Sequence, residues 1–365
     1  MHRPRALKNL PRTPFLAVLA LLAAGLPALA CAQAATQASK KPLDVSRPEV
    51  QRFIDSMVER QGFERAELAA TLSDAVTQPT IVEAMSRPSE RTMTWEEYRG
   101  RFLTDERIDA GLALWDAQQA ALDKVTADSG VPAEYLLAIT GVETYFGRIL
   151  GRHRVLDALS TLAFDYPRRS DFFTKELEEY LLIARKEQLD PRVPIGSYAG
   201  AMGAPQFMPS SMRSYAVDGD GDGHRDLWLN WTDVFASIAN YFTEHGWRPG
   251  EPVLADAQVE PVPDDGATVR LALNETVAGL RERGYRFDTT LPGTAKAMRV
   301  PAQQLDAMQW RVGFQNFYVI TRYNRSFLYA MAVNDLAQAM AERRSARLQS
   351  APAASATATP LTTSP

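Results

Sequence analysis

The sequence predicts a mainly α (α+β) protein: helical through most of its length, with a small β domain inserted late. Three observations predict this. Apolar positions recur at helical spacing from Pro48 to about Val125 and again at Phe172 to Gln188 and Trp231 to Thr243. Between 251 and 310 the pattern changes to short apolar or alternating runs separated by Pro, Asp and Gly, the signature of short strands. After Ser326 the helical pattern returns as far as Met340.

The elements follow in order. Val50, Phe53, Ile54, Met57 and Val58 fall on one helix face. Thr94 with Glu97 three places later is a capping box that starts a helix at Trp95. Ile108 to Val125 reads as one long, alanine-rich helix. Pro132 opens the next helix at its first turn, where a missing N–H costs nothing. Val253-Leu254, Val259, Val262, Val269-Leu271-Leu273 and Tyr285-Phe287 read as strands, and Phe317 to Ile320 as one more.

The 365 residues predict two to three domains at roughly 150 residues each. Forty basic and forty-four acidic residues give a net charge of −4, which offers no electrostatic footing for a nucleic-acid partner. One cysteine excludes an internal disulfide framework and cysteine-rich zinc sites. The four histidines form no HExxH, and no GxSxG or P-loop string occurs.

The chain begins with an export signal. Arg3, Arg5, Lys8 and Arg12 precede an apolar run from Phe15 to Leu26, and Ala28-Leu29-Ala30 fits a signal-peptidase site. The run is shorter than the ~20 residues that span a membrane. Its removal takes the net charge from −4 to about −8. Cys31 follows directly. It admits acylation and anchoring to the outer membrane as a lipoprotein, and cleavage after Ala32 or Ala34 reads equally well.

Residues 135 to 147 carry no ionisable acid except Glu143, which is flanked by Val142, Tyr145 and Phe146. Such surroundings desolvate a carboxylate, raise its pKa and leave it able to donate a proton near neutrality. Gly141 lets a ligand or backbone approach closely, and Gly147 reads as the C-cap. A solvated helix-end glutamate has the same local sequence. The segment Gly196 to Ser211 shifts the balance. Its glycines keep the backbone approachable, Ser197, Gln206, Ser210 and Ser211 offer uncharged hydrogen-bonding groups, and Tyr198 and Phe207 offer flat apolar faces. That mixture suits a sugar.

Asp218, Asp220 and Asp222 stand at positions 1, 3 and 5 of an EF-hand-like loop. Gly223 stands at position 6, and His224 would ligate through its carbonyl at position 7. Leu229 departs from the pattern where a bidentate glutamate is expected, and Asp233 is placed to close a longer loop. The loop predicts a structural Ca2+ in preference to the alternative, an Asp/Gly-rich surface turn, and no organic cofactor is expected.

Together these segments resemble the lytic murein transglycosylase B family of bacterial cell-wall enzymes. The matching stretches are MTWEEYR (93 to 99), GVETYFGRILGRHRVLDALSTLAFDYPRR (141 to 169), GSYAGAMGAPQFMPSS (196 to 211), DGDGDGHRDLW (218 to 228), ANYFTEHGW (239 to 247) and ITRYNRSFLYAMAV (320 to 333). The resemblance implies a lysozyme-like core with an N-terminal helical domain and a small inserted β domain. With the leader and the Ala, Ser, Thr and Pro tail read from the residues, the chain divides into a signal peptide (1–30), a spacer (31–47), a helical and catalytic core with the calcium loop (48–250), the β domain (251–310), a return to the core (311–345) and a disordered tail (346–365). The resemblance implies a periplasmic enzyme whose partner is the peptidoglycan glycan strand.

By the same resemblance Glu143 is the catalytic acid/base. Ser197, Gln206, Phe207, Tyr98, Tyr241, Tyr323 and Tyr329 bind substrate, and Asp218, Asp220, Asp222, His224 and Asp233 form the metal loop. Phe172 stands where the family often has tyrosine. Paired-carboxylate glycosidases need a second acid, for which the sequence offers only Asp157 and Asp165. The family instead uses the muramyl 2-acetamido group and the muramyl 6-hydroxyl, giving 1,6-anhydromuramyl ends without adding water. A hydrolytic muramidase, a non-catalytic peptidoglycan-binding module and a secreted calcium-binding structural protein are the rival readings.

Overall fold

The computed structural model describes residues 40–86, 93–263, 265–305 and 307–350. The expected signal peptide, Cys31, most of the spacer and the tail from 351 onward lie outside the described residues.

Lys41–Pro42 (β1) pairs antiparallel with Val76–Thr77 (β2) around the first two helices, Pro48–Gln61 (α1) and Arg65–Ser73 (α2). Pro48 opens α1 and Gly62, in the left-handed region, closes it, while Val50, Phe53, Ile54 and Met57 are buried on one face. Pro79–Ser86 (α3) and Trp95–Phe102 (α4) follow. Thr94 accepts the N–H of Glu97, and Glu97 accepts the N–H of Thr94, so the expected capping box forms.

The stretch read as one helix is two: Asp105–Ala117 (α5) and Gln119–Ser129 (α6), broken at Gln118. Alanine propensity did not reveal this break, because both halves bury an apolar face and their composition is continuous across it. Pro132 is the N-cap of Ala133–Thr144 (α7) rather than its first residue. His153–Arg154 (β3) pairs with Ile195–Gly196 (β4) across Val155–Asp165 (α8) and Ser170–Lys186 (α9). Pro209–Tyr215 (α10) and Trp231–Glu244 (α11) complete this part of the core.

The β insertion is a four-stranded antiparallel sheet. Its strands are Leu254–Ala257 (β5), Glu275–Thr276 (β6), Lys296–Gln303 (β7) and Met308–Gly313 (β8), in the order β5-β8-β7-β6, with Val277–Glu282 (α12) after β6. Val269 to Leu273 is not a strand; it follows a short 3-10 turn, and its backbone bonds are local. The sheet has two apolar faces, as a period of two permits. Met298, Val300 and Ala302 of β7 join the main core, while Ala297, Trp310 and Val312 close a smaller core with Val277, Leu280 and Tyr285.

Phe317 to Ile320, read as a strand, lies inside the helix Gln315–Tyr323 (α13). Its β-branched and aromatic run is buried against the main core, and burial overrides strand propensity. Phe327–Ser350 (α14) packs along α7 and runs through positions 346–350, which the sequence assigned to a disordered tail. Among the described residues no helix is long and apolar enough to cross a membrane.

Candidate active site and cation loop

Glu143 sits on the last turn of α7. The helix ends abruptly there because Tyr145 and Phe146 both adopt the left-handed region, with φ of 51° and 59°. The C-cap is therefore Tyr145, not Gly147. Two consecutive bulky residues at positive φ are strained, and the surrounding contacts must hold them. The N–H of Phe146 donates to the Thr140 carbonyl at 3.0 Å, and the Thr144 hydroxyl bonds to the Ala204 carbonyl at 2.9 Å. The end of α7 is thereby tied to the 196–207 loop. Gly141 serves this packing rather than a ligand: a Cβ there would lie 2.8 Å from the Phe146 ring and 2.9 Å from Leu336 on α14.

The Glu143 carboxyl receives the Tyr329 hydroxyl proton in a hydrogen bond of 2.7 Å. Burial pushes its pKa up to about 7, against which the Tyr329 bond acts to favour the carboxylate. Burial, and next the Glu143 charge, raise the Tyr329 hydroxyl well above the usual tyrosine value, so Tyr329 remains a donor. Tyr98 of α4 also feels the Glu143 charge, after burial, and is raised in the same direction.

From Tyr329 a run of aromatic rings leads away from the acid. Tyr323 stacks on Tyr329 with centroids 6.5 Å apart, and Tyr241 lies 4.8 Å from Tyr323. Phe207 is 5.8 Å from each of Tyr241 and Tyr323. Their hydroxyls are committed to backbone: Tyr323 donates to the Pro205 carbonyl at 2.6 Å and Tyr241 to the Arg322 carbonyl at 2.7 Å. Phe207 and Tyr241 are buried, so they form the floor beneath the cleft rather than open sugar platforms.

The 196–207 loop is stiffened by its own backbone. Met202 and Phe207 exchange N–H···O bonds of 2.8 and 3.0 Å. The Ser197 oxygen accepts the N–H of Ala201 at 3.0 Å, which leaves its proton for another acceptor. Gln206 sits at φ 51°, and its amide nitrogen donates to the Leu150 carbonyl at 3.2 Å and the Gly203 carbonyl at 3.0 Å. Ser210, read as one of the uncharged hydrogen-bonding groups, commits its hydroxyl to Glu176, to which it donates at 2.7 Å. Phe172 is exposed and carries Arg169 over its ring at 4.3 Å.

Neither candidate second acid belongs to the site. Asp157 is clamped by Arg154, at 2.8 and 3.0 Å, and by the Val76 N–H at 2.9 Å. Asp165 pairs with Arg47 at 2.7 Å. A residue the sequence reading missed is Arg107, whose guanidinium packs over the Tyr145 ring at 4.6 Å and donates to the Gly141 carbonyl. It braces the strained end of α7; no motif marks it.

In the acidic loop, Asp218, Asp220 and Asp222 bring carboxylate oxygens within 4.8 Å of one another. Asp218 accepts the N–H groups of Gly223 at 2.8 Å and Gly221 at 2.7 Å, which hold its pKa below the usual carboxylate range. Asp233 is not brought to this cluster. It is fully buried, and its two oxygens accept the N–H groups of Gly219 and Asp226, each at 2.8 Å. It thus ties both ends of the loop to the start of α11. The His224 imidazole is turned to Glu187, 3.9 Å away, which leaves position 7 to its carbonyl. Asn230, unmarked by the sequence reading, caps α11 and donates to Asp220 at 2.8 Å.

A family model described as the transglycosylase SLT domain matches residues 46–338. The chain belongs to that family. This transglycosylase is 40% identical over 310 residues to the membrane-bound lytic murein transglycosylase B of Escherichia coli (strain K12), covering 82% of this chain and 84% of the relative. The crystal structure of the soluble lytic transglycosylase SltB1 from Pseudomonas aeruginosa matches with a TM-score of 0.77 at 46% identity, covering 82% of this chain and 100% of that one. The Escherichia coli lytic transglycosylase Slt35 in complex with calcium matches with a TM-score of 0.76 at 40% identity, covering 84% of this chain and 97% of that one. This transglycosylase is a peptidoglycan-cleaving enzyme with the mainly helical, lysozyme-like fold of its family.

Proposed function

We propose that this transglycosylase cleaves the β-1,4 bond between N-acetylmuramic acid and N-acetylglucosamine with Glu143 as its one acid/base, and leaves 1,6-anhydromuramyl ends. The observation that carries this reading is the lone, half-buried Glu143 carboxyl with its pKa pushed up to about 7. Burial and the Tyr329 bond set that value, and no other carboxylate contributes to it. A group poised near neutrality serves as acid and then as base.

In the first step Glu143 gives its proton to the glycosidic oxygen, and the bond to the muramyl anomeric carbon breaks. The N-acetylglucosamine leaves with a free 4-hydroxyl. The muramyl 2-acetamido oxygen stabilises the positive anomeric carbon from the other face, a role a second carboxylate would otherwise fill. In the second step the Glu143 carboxylate takes the proton of the muramyl 6-hydroxyl, whose oxygen closes on the anomeric carbon. The acid is regenerated and no water is consumed. A nucleophile already on the ring competes well against water on proximity alone. Tyr329 holds the carboxyl in place and supports the carboxylate between the two steps. Ser197 and Gln206 offer polar contacts beside the cleavage point, Tyr98 and Tyr323 border it, and Phe207 and Tyr241 support it from beneath.

The three aspartates of the loop fit a Ca2+ ion, as hard oxygen donors at EF-hand positions 1, 3 and 5 with the His224 carbonyl at position 7. The calcium-bound Escherichia coli structure supports this assignment. The ion would neutralise the aspartates and fix the chain before α11, outside the chemistry. The leader supports a periplasmic location, and Cys31 beside the membrane-bound relative supports a lipid anchor on the outer membrane.

Mass spectrometry of the products from purified sacculi tests the reaction. Muropeptides lighter by one water than hydrolysed counterparts are expected. Reducing muramic ends would replace the transglycosylase by a hydrolase.

A further inference from the structure

Arg107 is half-buried on α5, and no carboxylate pairs with it among the described residues. Its neighbours are rings and carbonyls. The guanidinium packs over the Tyr145 ring at 4.6 Å and over Phe102, the last residue of α4, at 5.1 Å. Its N–H groups donate to the Gly141 carbonyl and, at 3.5 Å, to the Arg101 carbonyl. Burial pulls its pKa down. Taking a cation out of water without a counter-ion is costly, and these rings and carbonyls offset the cost only where a flat, forked cation fits them.

That fit is centred on the acid. Gly141 stands two residues before Glu143 and Tyr145 two after it. One guanidinium therefore clasps the chain on both sides of Glu143. The last carbonyls of a helix lack intrahelical partners, and Arg107 supplies one to Gly141. One turn further along α5, Gly111 opens the slot that takes Phe146, since a Cβ there would lie 2.8 Å from the Phe146 ring. Arg107 and Gly111 thus meet, in order, the two left-handed residues Tyr145 and Phe146. Bulky residues do not choose this backbone, so contacts must impose it, and α5 supplies one for each.

We propose that Arg107 is a positioning residue of the reaction: through Gly141 and Tyr145 it fixes the turn of α7 that aims Glu143 at the glycosidic oxygen. Its role rests on the reading of Glu143 as the acid/base. The influences on the Glu143 proton are burial and the Tyr329 bond, not the Arg107 charge. Arg107 therefore acts on where the carboxyl stands, not on how tightly it holds its proton. Lysine cannot replace it. A guanidinium lies flat on a ring while its in-plane N–H groups reach a carbonyl, and an ammonium has no such plane. A shift of about 1 Å in a reacting group costs about 10²-fold in rate.

The test measures kcat and KM of the full-length protein on soluble, uncross-linked glycan strands, below the melting temperature of every variant. Arg107→Met keeps the length of the side chain and removes the fork. Its kcat is expected to fall by about 10²-fold, with KM within about twofold of wild type. Arg107→Lys should recover less than about a tenth of the wild-type kcat. Tyr145→Leu, which removes the ring, should lose kcat to a similar extent, and Tyr145→Phe, which keeps it, should not. Arg107→Met combined with Tyr145→Leu should be no worse than the poorer single variant, because the two groups act as one unit.

Arg343→Met is the control. Arg343 holds α14 to Asp105 and Asp109 of the same α5, so its loss should lower the melting temperature and leave kcat unchanged. Wild-type kcat in folded Arg107→Met overturns the proposal. So do a loss confined to KM, full rescue by Arg107→Lys, and additive losses in the double variant. If Arg107→Met does not fold, Tyr145→Leu decides alone, and an unchanged kcat there overturns the proposal. Glu143→Gln in the same assay judges the acid itself. An inactive Glu143→Gln beside a fully active Arg107→Met removes the clasp and leaves the acid/base reading standing.

Discussion

Tyr329 and Glu143, 186 residues apart in sequence, meet at 2.7 Å because α14 packs along α7 and aims one hydroxyl at one carboxyl. The contact sets two opposed influences on the same proton. Burial favours the protonated acid, and the hydrogen bond favours the carboxylate. The balance near neutrality is what a group that must both give and accept a proton requires.

Glu143→Gln removes the proton and keeps the shape. Turnover of sacculi is expected to fall by about 10²–10⁴-fold or to vanish, while circular dichroism and binding to sacculi stay unchanged. Retained turnover would remove Glu143 from its role.

Tyr329→Phe shifts the pH dependence in a direction the geometry fixes. Loss of the bond removes a contribution that lowers the Glu143 pKa, so the pKa rises above about 7. The limb on which kcat/KM falls with rising pH, as the acid deprotonates, should move to higher pH, with a smaller maximum. A profile that shrinks without moving would leave Tyr329 with a packing role only.

The raised Glu143 pKa also enters stability. A carboxyl that prefers its neutral form in the fold costs nothing below its unfolded value near 4.5, and its penalty grows until pH passes about 7. Glu143→Gln should therefore stabilise the protein at pH 8 relative to pH 4, by up to about 3 kcal/mol since one pKa step is worth ~1.4 kcal/mol. Denaturant melts of both proteins at the two pH values measure it, and an equal difference at both would contradict the buried acid.

Much of this was legible in the sequence. Glu143 stood out because an uncharged helical run leads up to it, and the loop because Asp218, Asp220 and Asp222 alternate with glycine. The strained end of α7 was not legible: Tyr145 and Phe146 at positive φ defy their intrinsic preference, and only tertiary contacts impose it. Phe317 to Ile320 shows the same limit, since a β-branched run in a buried helix looks like a strand until its packing is known. Asp233 was placed in the right loop, but its oxygens serve backbone N–H groups that no spacing reveals.

That last distinction separates two aspartates. Calcium should raise the melting temperature, and Asp218→Ala should abolish the rise by removing a carboxylate of the cluster. Asp233→Asn should lower stability with or without calcium, by about 1–3 kcal/mol, because an amide nitrogen cannot accept from the N–H it replaces an oxygen against. A calcium-independent melt of metal-free wild type would end the loop assignment. A normal melt of Asp233→Asn without calcium would make Asp233 a ligand instead of a tie.

Gly203 joins the loop to the site. It lies at φ +67°, and a Cβ there would stand 2.4 Å from the Leu227 carbonyl oxygen, the same oxygen that accepts the Ala204 N–H at 2.8 Å. Its own carbonyl accepts from both the backbone and the side chain of Gln206. Gly203→Ala must therefore part the 196–207 loop from the chain that leaves the cation loop, and tilt Gln206. Gly62 provides the control, since it has nearly the same φ, +65°, with nothing within 4 Å of the added Cβ. Gly62→Ala should cost only the left-handed strain, about 1–2 kcal/mol, and leave turnover unchanged. Gly203→Ala should cost more and lower kcat/KM as well. Equal losses of stability in the two variants, with activity intact, would show that the loop yields at Leu227 and that Gln206 does not depend on this contact.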